Sequence, residues 1–260
     1  MTPQQGAQQT LLSASDLYCE RDDRVLFEGL ALSITDGELI QLAGPNGAGK
    51  TTFFNLITGH LQPSAGEVRY KGDLISGLPP YRIVKLGLAR SFQRINIYPR
   101  MTVFQNVQVA LIAQNNQHLH FFTRAHNLYK EETEDLLELV DLLGEIQDIA
   151  GELAYGKQKQ LELAISLAAN PRVLLLDEPT AGMSPSETAE SIRLINDITQ
   201  SRSLTLLFTE HDMSVVFSIA DRISVLHHGE ILASGAPDEV RKDVEVRRVY
   251  LGEEVGHASA

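Results

Sequence analysis

The chain has 260 residues and carries 34 acidic against 22 basic side chains, a formal net charge of −12 at pH 7. This balance argues against general binding to nucleic acids or anionic lipids, because phosphate-rich surfaces attract an excess of lysine and arginine. Cys19 is the only cysteine, which excludes an intrachain disulfide and is consistent with a reducing, cytosolic compartment. No apolar run approaches the roughly 20 residues needed to span a bilayer.

The first part of the chain predicts β structure after a short lead. Residues 1–10 are rich in glutamine and lack charged side chains, so they predict a disordered lead and not a signal peptide. Residues 11–43 alternate apolar runs with turn signals, and residues 67–70 add a further run. We therefore expect an antiparallel β layer on both sides of the next motif.

That motif follows an apolar run and precedes residues that are apolar at helical spacing, which predicts strand, turn and helix. It consists of Gly44, Pro45, Asn46, Gly47, Ala48, Gly49, Lys50 and Thr51. The glycines allow main-chain N–H groups to surround a polyphosphate, and the helix start adds further donors. Lys50 would reach the β and γ phosphates, and Thr51 would offer its hydroxyl to Mg²⁺. The motif therefore predicts nucleotide binding.

The middle of the chain predicts mainly helices. Residues 79–90 predict a short helix that breaks at Gly87, and residues 91–93 predict a strand. From residue 103 to 149 the pattern is helical, most clearly at residues 131–143, where a wide apolar face opposes acidic side chains. We expect a helical subdomain inserted between two β-rich parts.

The last part alternates predicted strands and helices, which is typical of a parallel α/β sheet. Residues 226–231, with Gly229 among them, predict a hairpin. The apolar run at residues 173–176 predicts a buried central strand that ends in Asp177 and Glu178. Asp177 would order the Mg²⁺ shell, and Glu178 would polarise the attacking water as general base. The alternative is that the two carboxylates cap the following helix.

Five elements occur in the order and spacing of an ABC-transporter ATP-binding subunit, and the resemblance covers nearly the whole chain. They are residues 44–51, Gln93, and residues 153–158, 174–179 and 209–212. The resemblance implies a P-loop NTPase (RecA-like) core of α/β class, with an antiparallel β subdomain and an inserted α-helical subdomain. The boundaries it implies are a lead at 1–10, an ATPase domain at 11–253 with its core at 11–93 and 151–235 and its helical subdomain at 94–150, and a tail at 254–260.

The resemblance also implies a shared site for ATP and Mg²⁺ and its catalytic residues. The residues it assigns to catalysis are Glu178, His211 and Gln93, and the metal residues are Thr51, Gln93 and Asp177. The nucleotide would lie between the phosphate loop with Thr52 of one subunit and the signature segment of another, which comprises Ala154, Tyr155, Gly156 and Lys157. The partners implied are a second, identical or similar ATP-binding subunit and a separate transmembrane permease, with the chain peripheral to the cytoplasmic face of the inner membrane.

Several positions bear on the transported solute. The segment Leu153-Ala154-Tyr155-Gly156 replaces the usual Leu-Ser-Gly-Gly and resembles the ATPases of branched-chain amino-acid importers, as do residues 89–93, 210–213 and 249–253. Residues 18–27 are instead similar to the haem-exporter ATPase of cytochrome c maturation.

Arg21 stands near the position of the family's adenine-stacking aromatic residue, with Tyr18 as the second candidate. Ser184 replaces the family's usual aspartate.

We therefore predict an ATPase subunit that drives import of branched-chain amino acids or a related small solute. One alternative is the ATPase of a haem or lipopolysaccharide exporter. A soluble, non-transport ABC protein that acts on DNA or ribosomes would usually need tandem cassettes or a long coiled-coil insertion, and neither is present. A P-loop phosphotransferase would have no use for residues 153–158.

Overall fold

The computed structural model describes residues 9–21, 24–91, 95–115, 128–210 and 219–251. These residues belong to two compact units. The first unit comprises residues 1–80 and 205–260, and the second comprises residues 81–204. Most of the predicted lead and the whole predicted tail lie outside the described residues.

The first unit contains two sheets and a helix that follows the phosphate loop. Its elements are β1 (Thr10–Arg21), β2 (Arg24–Thr35), β3 (Leu39–Ala43), α1 (Lys50–Ile57), β4 (Ala65–Tyr70), β5 (Asp73–Leu74), and, after the second unit, β8 (Thr205–Thr209), β9 (Arg222–His227), β10 (Glu230–Gly235), α7 (Pro237–Lys242), α8 (Val244–Val246) and a π-helical turn (Arg247–Leu251).

The two sheets of this unit differ in strand direction. The first has the order β2-β1-β4-β5 and is antiparallel, since β1 pairs with both β2 and β4 in that sense. In the second, β3 lies between β8 and β9 and is parallel to both, while β10 pairs with β9 as an antiparallel hairpin. Parallel strands end at the same edge, so the phosphate loop leaves β3 at the edge where β8 and β9 also end.

The second unit is mainly helical. Its elements are α2 (Pro80–Leu86), β6 (Leu88–Arg90), α3 (Val103–Gln114), α4 (Lys130–Leu139), two 3₁₀ turns (Leu143–Glu145 and Ala150–Glu152), α5 (Tyr155–Leu167), β7 (Val173–Asp177) and α6 (Pro185–Ser201). Strands β6 and β7 pair in parallel, and α3 packs against α4 and α5. All residues of β7 are buried, as expected for a strand inside a parallel sheet.

The predicted fold class is confirmed, with corrections to some elements. The apolar runs at residues 25–27 and 30–34 form one long strand that continues through Gly29, which adopts a φ of +81°. Residues 88–90, which were predicted to end a helix, form β6 instead, because the backbone turns at Gly87 with a φ of +106°. Of the residues 91–93 predicted as a strand, Ser91 follows the last residue of β6 and still bonds to β7 through its N–H, and Phe92 and Gln93 lie outside the described residues.

The amphipathic helix predicted for residues 131–143 is confirmed but ends earlier than expected. Helix α4 stops at Leu139, and Asp141 then adopts the left-handed conformation with a φ of +56°. This conformation ends the helix because it cannot continue right-handed backbone hydrogen bonding. The predicted hairpin near Gly229 is confirmed by the pairing of β9 with β10.

Candidate phosphate-binding and catalytic sites

The phosphate loop needs glycine for two different steric reasons. Gly44 has a φ of +148°, and a Cβ atom there would lie 2.3 Å from the carbonyl oxygen of Leu226 on β9. Gly49 has a φ of +106°, and its Cβ would lie 2.8 Å from the Phe27 ring. A side chain at either position would force the loop away from its neighbours, so the glycines hold the loop against β9 and β2.

Lys50 is the first residue of α1, and its side chain folds back over the loop. Its ammonium donates hydrogen bonds to the carbonyl oxygens of Gly44, at 2.7 Å, and Pro45, at 3.2 Å. Only 8% of the residue is exposed. Thr51 and Thr52 follow in the first turn of the helix, where main-chain N–H groups favour an anion. The loop thus combines a cation with a helix start, as the sequence predicted for phosphate binding.

The strand beside the loop leads to the predicted catalytic histidine. Strand β8 pairs in parallel with β3, and the side chain of Gln41 on β3 donates a hydrogen bond to the carbonyl oxygen of Glu210 at 3.0 Å. Gln41 is fully buried and Glu210 is 4% exposed, so this bond fixes the end of β8. His211 comes next in the chain but lies outside the described residues.

A cavity of about 250 Å³ borders the phosphate loop within the first unit. Its walls are formed by Val25, Leu26, Pro45, Asn46, Gly47, Ala48, His227, His228 and Gly229. The two histidines were predicted only as part of a hairpin, since no sequence pattern indicates that this turn lies beside the loop. Neither Tyr18 nor Arg21 contributes to the lining of this cavity. The Tyr18 hydroxyl donates instead to the Glu20 carboxylate at 3.2 Å.

The predicted acidic pair lies at the end of β7 in the second unit. Asp177 is 2% exposed, and its Oδ2 accepts a hydrogen bond from Nη2 of Arg90 at 3.0 Å. Burial lowers the pKa of the Arg90 guanidinium, and the Asp177 carboxylate partly offsets this effect. Glu178 adopts a φ of +52°, which is uncommon for a residue with a side chain and is frequently found at functional sites.

The ion pair of Arg90 with Asp177 is a contact that the sequence did not predict. Arg90 was noted only because residues 89–93 resemble the importer ATPases. Its place one residue before Ser91, and 87 positions from Asp177, gives no local signal of an ion pair. Only the parallel pairing of β6 with β7 brings the two charges together.

The signature segment forms the start of α5. Ala154 occupies the position before the helix, where it has no side-chain oxygen to cap the first N–H groups. Gln158 reaches back and donates to the carbonyl oxygen of Leu153 at 2.9 Å. Lys157 forms an ion pair with Glu145. The charge of Lys157, which could compensate for the missing signature serine, is therefore partly balanced within its own unit.

The predicted site residues thus divide between the units. The first unit brings together the phosphate loop, Thr51 and Thr52, and it also contains Tyr18 and Arg21 on β1. The second unit contains Asp177, Glu178 and the signature segment. Gln93 and His211 lie outside the described residues.

Family models match this chain over residues 27–181 and over residues 230–256. Residues 27–181 match the family described as ABC transporter, which covers the phosphate loop, the signature segment and Glu178. The chain belongs to the ABC transporter family. It is the ATP-binding subunit of a transporter, and it is an ATPase whose hydrolysis is coupled to transport. Residues 230–256 of this ABC ATPase also match a family described as branched-chain amino acid ATP-binding cassette transporter.

Curated relatives and solved structures agree with this assignment. The high-affinity branched-chain amino acid transport ATP-binding proteins BraF of Pseudomonas aeruginosa and LivG of Escherichia coli are each 37% identical, over 94% of this chain and 98% and 99% of their own. The lipopolysaccharide export ATP-binding protein LptB of Haemophilus influenzae is 31% identical, over 94% of this chain and 98% of its own.

Solved structures of ABC transporter cassettes share the fold. An ATP-binding cassette in its ADP conformation superimposes with a TM-score of 0.84 at 26% identity, over 94% of this chain and all of the other. A nucleotide-free cassette gives a TM-score of 0.83 at 25% identity, with the same coverage. This ABC ATPase therefore has a domain that binds ATP and ADP. A solved cassette bound to ADP and phosphate, which superimposes with a TM-score of 0.74 at 21% identity, is dimeric.

The residues predicted to hold magnesium carry suitable donor atoms. Thr51 of the first unit has a hydroxyl and Asp177 of the second unit a carboxylate, and hard oxygen ligands of this kind are those that Mg²⁺ prefers. Asp177 lies at the buried end of β7, where the Arg90 guanidinium forms an ion pair with it. Within the part of the chain that the structure describes, no helix is both long and apolar enough to cross a membrane.

Proposed function

We propose that this ABC ATPase drives a separate permease for branched-chain amino acids or a related small solute. The observation that carries the proposal is the match of residues 230–256 to the branched-chain amino-acid cassette family. This match lies beyond residues 27–181, which match the general ABC transporter family, so it bears on the subgroup as well as the family. The 37% identity to BraF and LivG over nearly the whole chain supports the same subgroup.

The roles proposed for the site residues follow from the family motifs. The phosphate loop binds the β and γ phosphates through main-chain N–H groups and Lys50, and Thr52 adds a contact at the start of α1. Thr51, Gln93 and Asp177 would hold Mg²⁺, which supplies positive charge to the phosphate oxygens when it is bound. Glu178 takes a proton from the attacking water. His211 and Gln93 orient the γ phosphate and the water.

The site is completed, in this proposal, by a second ATP-binding subunit. Ala154, Tyr155, Gly156 and Lys157 of one subunit face the nucleotide held by the phosphate loop of the other. The start of α5 has no side-chain cap at Ala154, so its first N–H groups and the positive end of its helix dipole would favour the phosphates of that nucleotide. Arg21 or Tyr18 stacks on the adenine of the same nucleotide.

The proposed domain organisation keeps the boundaries that the family resemblance implies. The ATPase domain spans residues 11–253, with the helical subdomain at residues 94–150 facing the permease. Through this contact the chain would be peripheral to the cytoplasmic face of the membrane.

An exporter is the second candidate function. The observation in its favour is the 31% identity to LptB of Haemophilus influenzae over 94% of this chain. This identity is lower than the 37% shared with BraF, and it covers the same share of the chain. We therefore give the importer priority.

The experiment is purification of the native complex in detergent, identification of the permease, and reconstitution of the complex in lipid vesicles. ATP turnover is then measured with leucine, isoleucine or valine and their binding protein, with lysine as the control solute. We expect the branched-chain amino acids alone to stimulate turnover. Stimulation by lipopolysaccharide or haem, and by none of these amino acids, would replace the importer by the exporter.

A further inference from the structure

The inference concerns the buried ion pair between Arg90 and Asp177, and it rests on the proposed role of Asp177 at the metal. Arg90 is the last residue of β6, and Asp177 is the last residue of β7. Their side chains are 5% and 3% exposed, and Nη2 lies 3.0 Å from Oδ2. Both charged groups are therefore almost excluded from water, so the distance and orientation between the guanidinium and the carboxylate strongly affect the electrostatic energy of the pair.

The backbone around the pair is fixed on both strands. Arg90 is in parallel register with Leu175, and the N–H of Ser91 donates to the carbonyl oxygen of Leu175 at 2.9 Å. The bond at Ser91 continues the pairing beyond the last residue of β6. The guanidinium is consequently attached to a backbone that cannot slide relative to β7 without breaking these bonds.

A guanidinium held in this way restricts the carboxylate. It binds Oδ2 with a defined direction, because arginine donors lie in a rigid plane. A carboxylate that is fixed before the metal arrives loses less rotational freedom on binding, as for ligands oriented by outer-shell hydrogen bonds in other metal sites. A lysine at this position would keep the charge but not the planar geometry.

We propose that Arg90 is a positioning residue that orients Asp177 for magnesium and so determines how much Mg²⁺ strengthens ATP binding. In this proposal Arg90 acts on the metal only through Asp177. It acts by holding one carboxylate oxygen. It also links the end of β6, three residues before Gln93, to the end of β7.

The test measures binding of a fluorescent, non-hydrolysable ATP analogue to the full chain, once with Mg²⁺ and once with EDTA. The ratio of the two affinities reports the contribution of the metal without requiring turnover. The variants are Arg90→Gln, which removes the charge, and Arg90→Lys, which keeps it. Arg222→Gln is the matched control, because Arg222 forms an ion pair with Glu38 in the first unit.

We expect Arg90→Gln to reduce the gain in analogue affinity that Mg²⁺ provides by about tenfold, which is the lower limit for loss of a residue that hydrogen-bonds to a metal ligand. The affinity measured in EDTA should change less than about twofold. Arg90→Lys should reduce the gain by a smaller factor. Arg222→Gln should lower the thermal midpoint and leave the gain at the wild-type value. If Arg90→Gln does not fold, Arg90→Lys decides, since it retains a cation beside Asp177.

Three outcomes would overturn the proposal. A wild-type gain in both Arg90 variants would show that Arg90 does not act on the metal. An equal loss in Arg90→Gln and Arg222→Gln would show that destabilisation alone explains the effect. Wild-type protein that binds the analogue with no gain from Mg²⁺ would remove the metal role of Asp177, and with it this inference. Wild-type protein that fails to bind the analogue at all would contradict the proposed function itself.

Discussion

The phosphate loop and the Asp177 carboxylate are held in place by different kinds of interaction. The loop is shaped mainly by its own backbone, in which glycines adopt positive φ angles and Lys50 bonds carbonyl groups five and six residues away. Gly44 and Gly49 also leave room for the neighbouring residues of β9 and β2. Asp177 is held by a guanidinium 87 positions away in the chain. The comparison shows that one part of the site depends on local conformation and the other on the pairing of two strands.

The largest effect on nucleotide binding is expected from Lys50→Ala, which removes the charge of the loop. We expect ATP affinity to fall about 100-fold, or about 2.7 kcal/mol, as for loss of a hydrogen bond to a charged group. Titration with a fluorescent ATP analogue measures this loss. Lys71→Ala, an exposed lysine of the same unit, is the control and should bind as wild type. Equal affinity of Lys50→Ala and wild type would remove the loop as the phosphate site.

The glycines of the loop provide a matched pair of substitutions. In Gly44→Ala the new Cβ would lie 2.3 Å from a backbone carbonyl oxygen, whereas Gly47→Ala meets nothing within 4 Å. We expect Gly47→Ala to cost about 1 kcal/mol for its left-handed backbone and Gly44→Ala about 3 kcal/mol or more. Urea unfolding measures both values. Equal costs would show that contact with Leu226 does not constrain the loop.

A smaller effect is expected from Glu38→Gln at the start of β3. Glu38 accepts from Nε of Arg222 at 2.5 Å and from the N–H of Thr35 at 2.8 Å. Burial raises the pKa of Glu38, but these bonds from Arg222 and Thr35 hold it below the ordinary value of 4.5. The charged form therefore stabilises the fold above that value, and this contribution is lost as the pH falls through the lowered pKa.

We expect Glu38→Gln to lower the free energy of unfolding by about 1 to 2 kcal/mol at pH 7, because the pair is only partly exposed. The difference from wild type should shrink as the pH falls below 4.5. Urea unfolding at pH 7 and at lower pH measures it. Glu67→Gln, which breaks a surface pair with Arg69, should have almost no effect. A difference that grows on acidification would contradict the account.

The phosphate loop and the buried strand β7 are the parts of the site and fold that the sequence could predict. The phosphate loop could be recognised because the chemistry of phosphate binding requires glycine, lysine and threonine at fixed spacing within eight consecutive residues. The buried strand β7 could be recognised because its apolar run is continuous and ends in two carboxylates. In both cases neighbouring residues carry the signal, and the fold class followed from it.

The positions that sequence reasoning missed depend on contacts between distant residues. Arg90 reaches Asp177 only because β6 and β7 pair in parallel. The residues of β6 were predicted to end a helix, whereas the positive φ of Gly87 turns the backbone before β6 begins. The His227 and His228 turn borders the loop only because β9 lies beside β3. Glu145 was not expected to pair with Lys157 of the signature segment.

The most direct test of the catalytic account is Glu178→Gln. Removal of a general base is expected to slow ATP turnover by at least about 100-fold, while the neutral side chain leaves ATP binding intact. The uncleaved nucleotide should then hold two subunits together. Light scattering after size exclusion would show a dimer in ATP and a monomer without it, and Asp197→Asn on α6 should behave as wild type. Turnover near wild type, with no ATP-dependent dimer, would show that Glu178 is not the base.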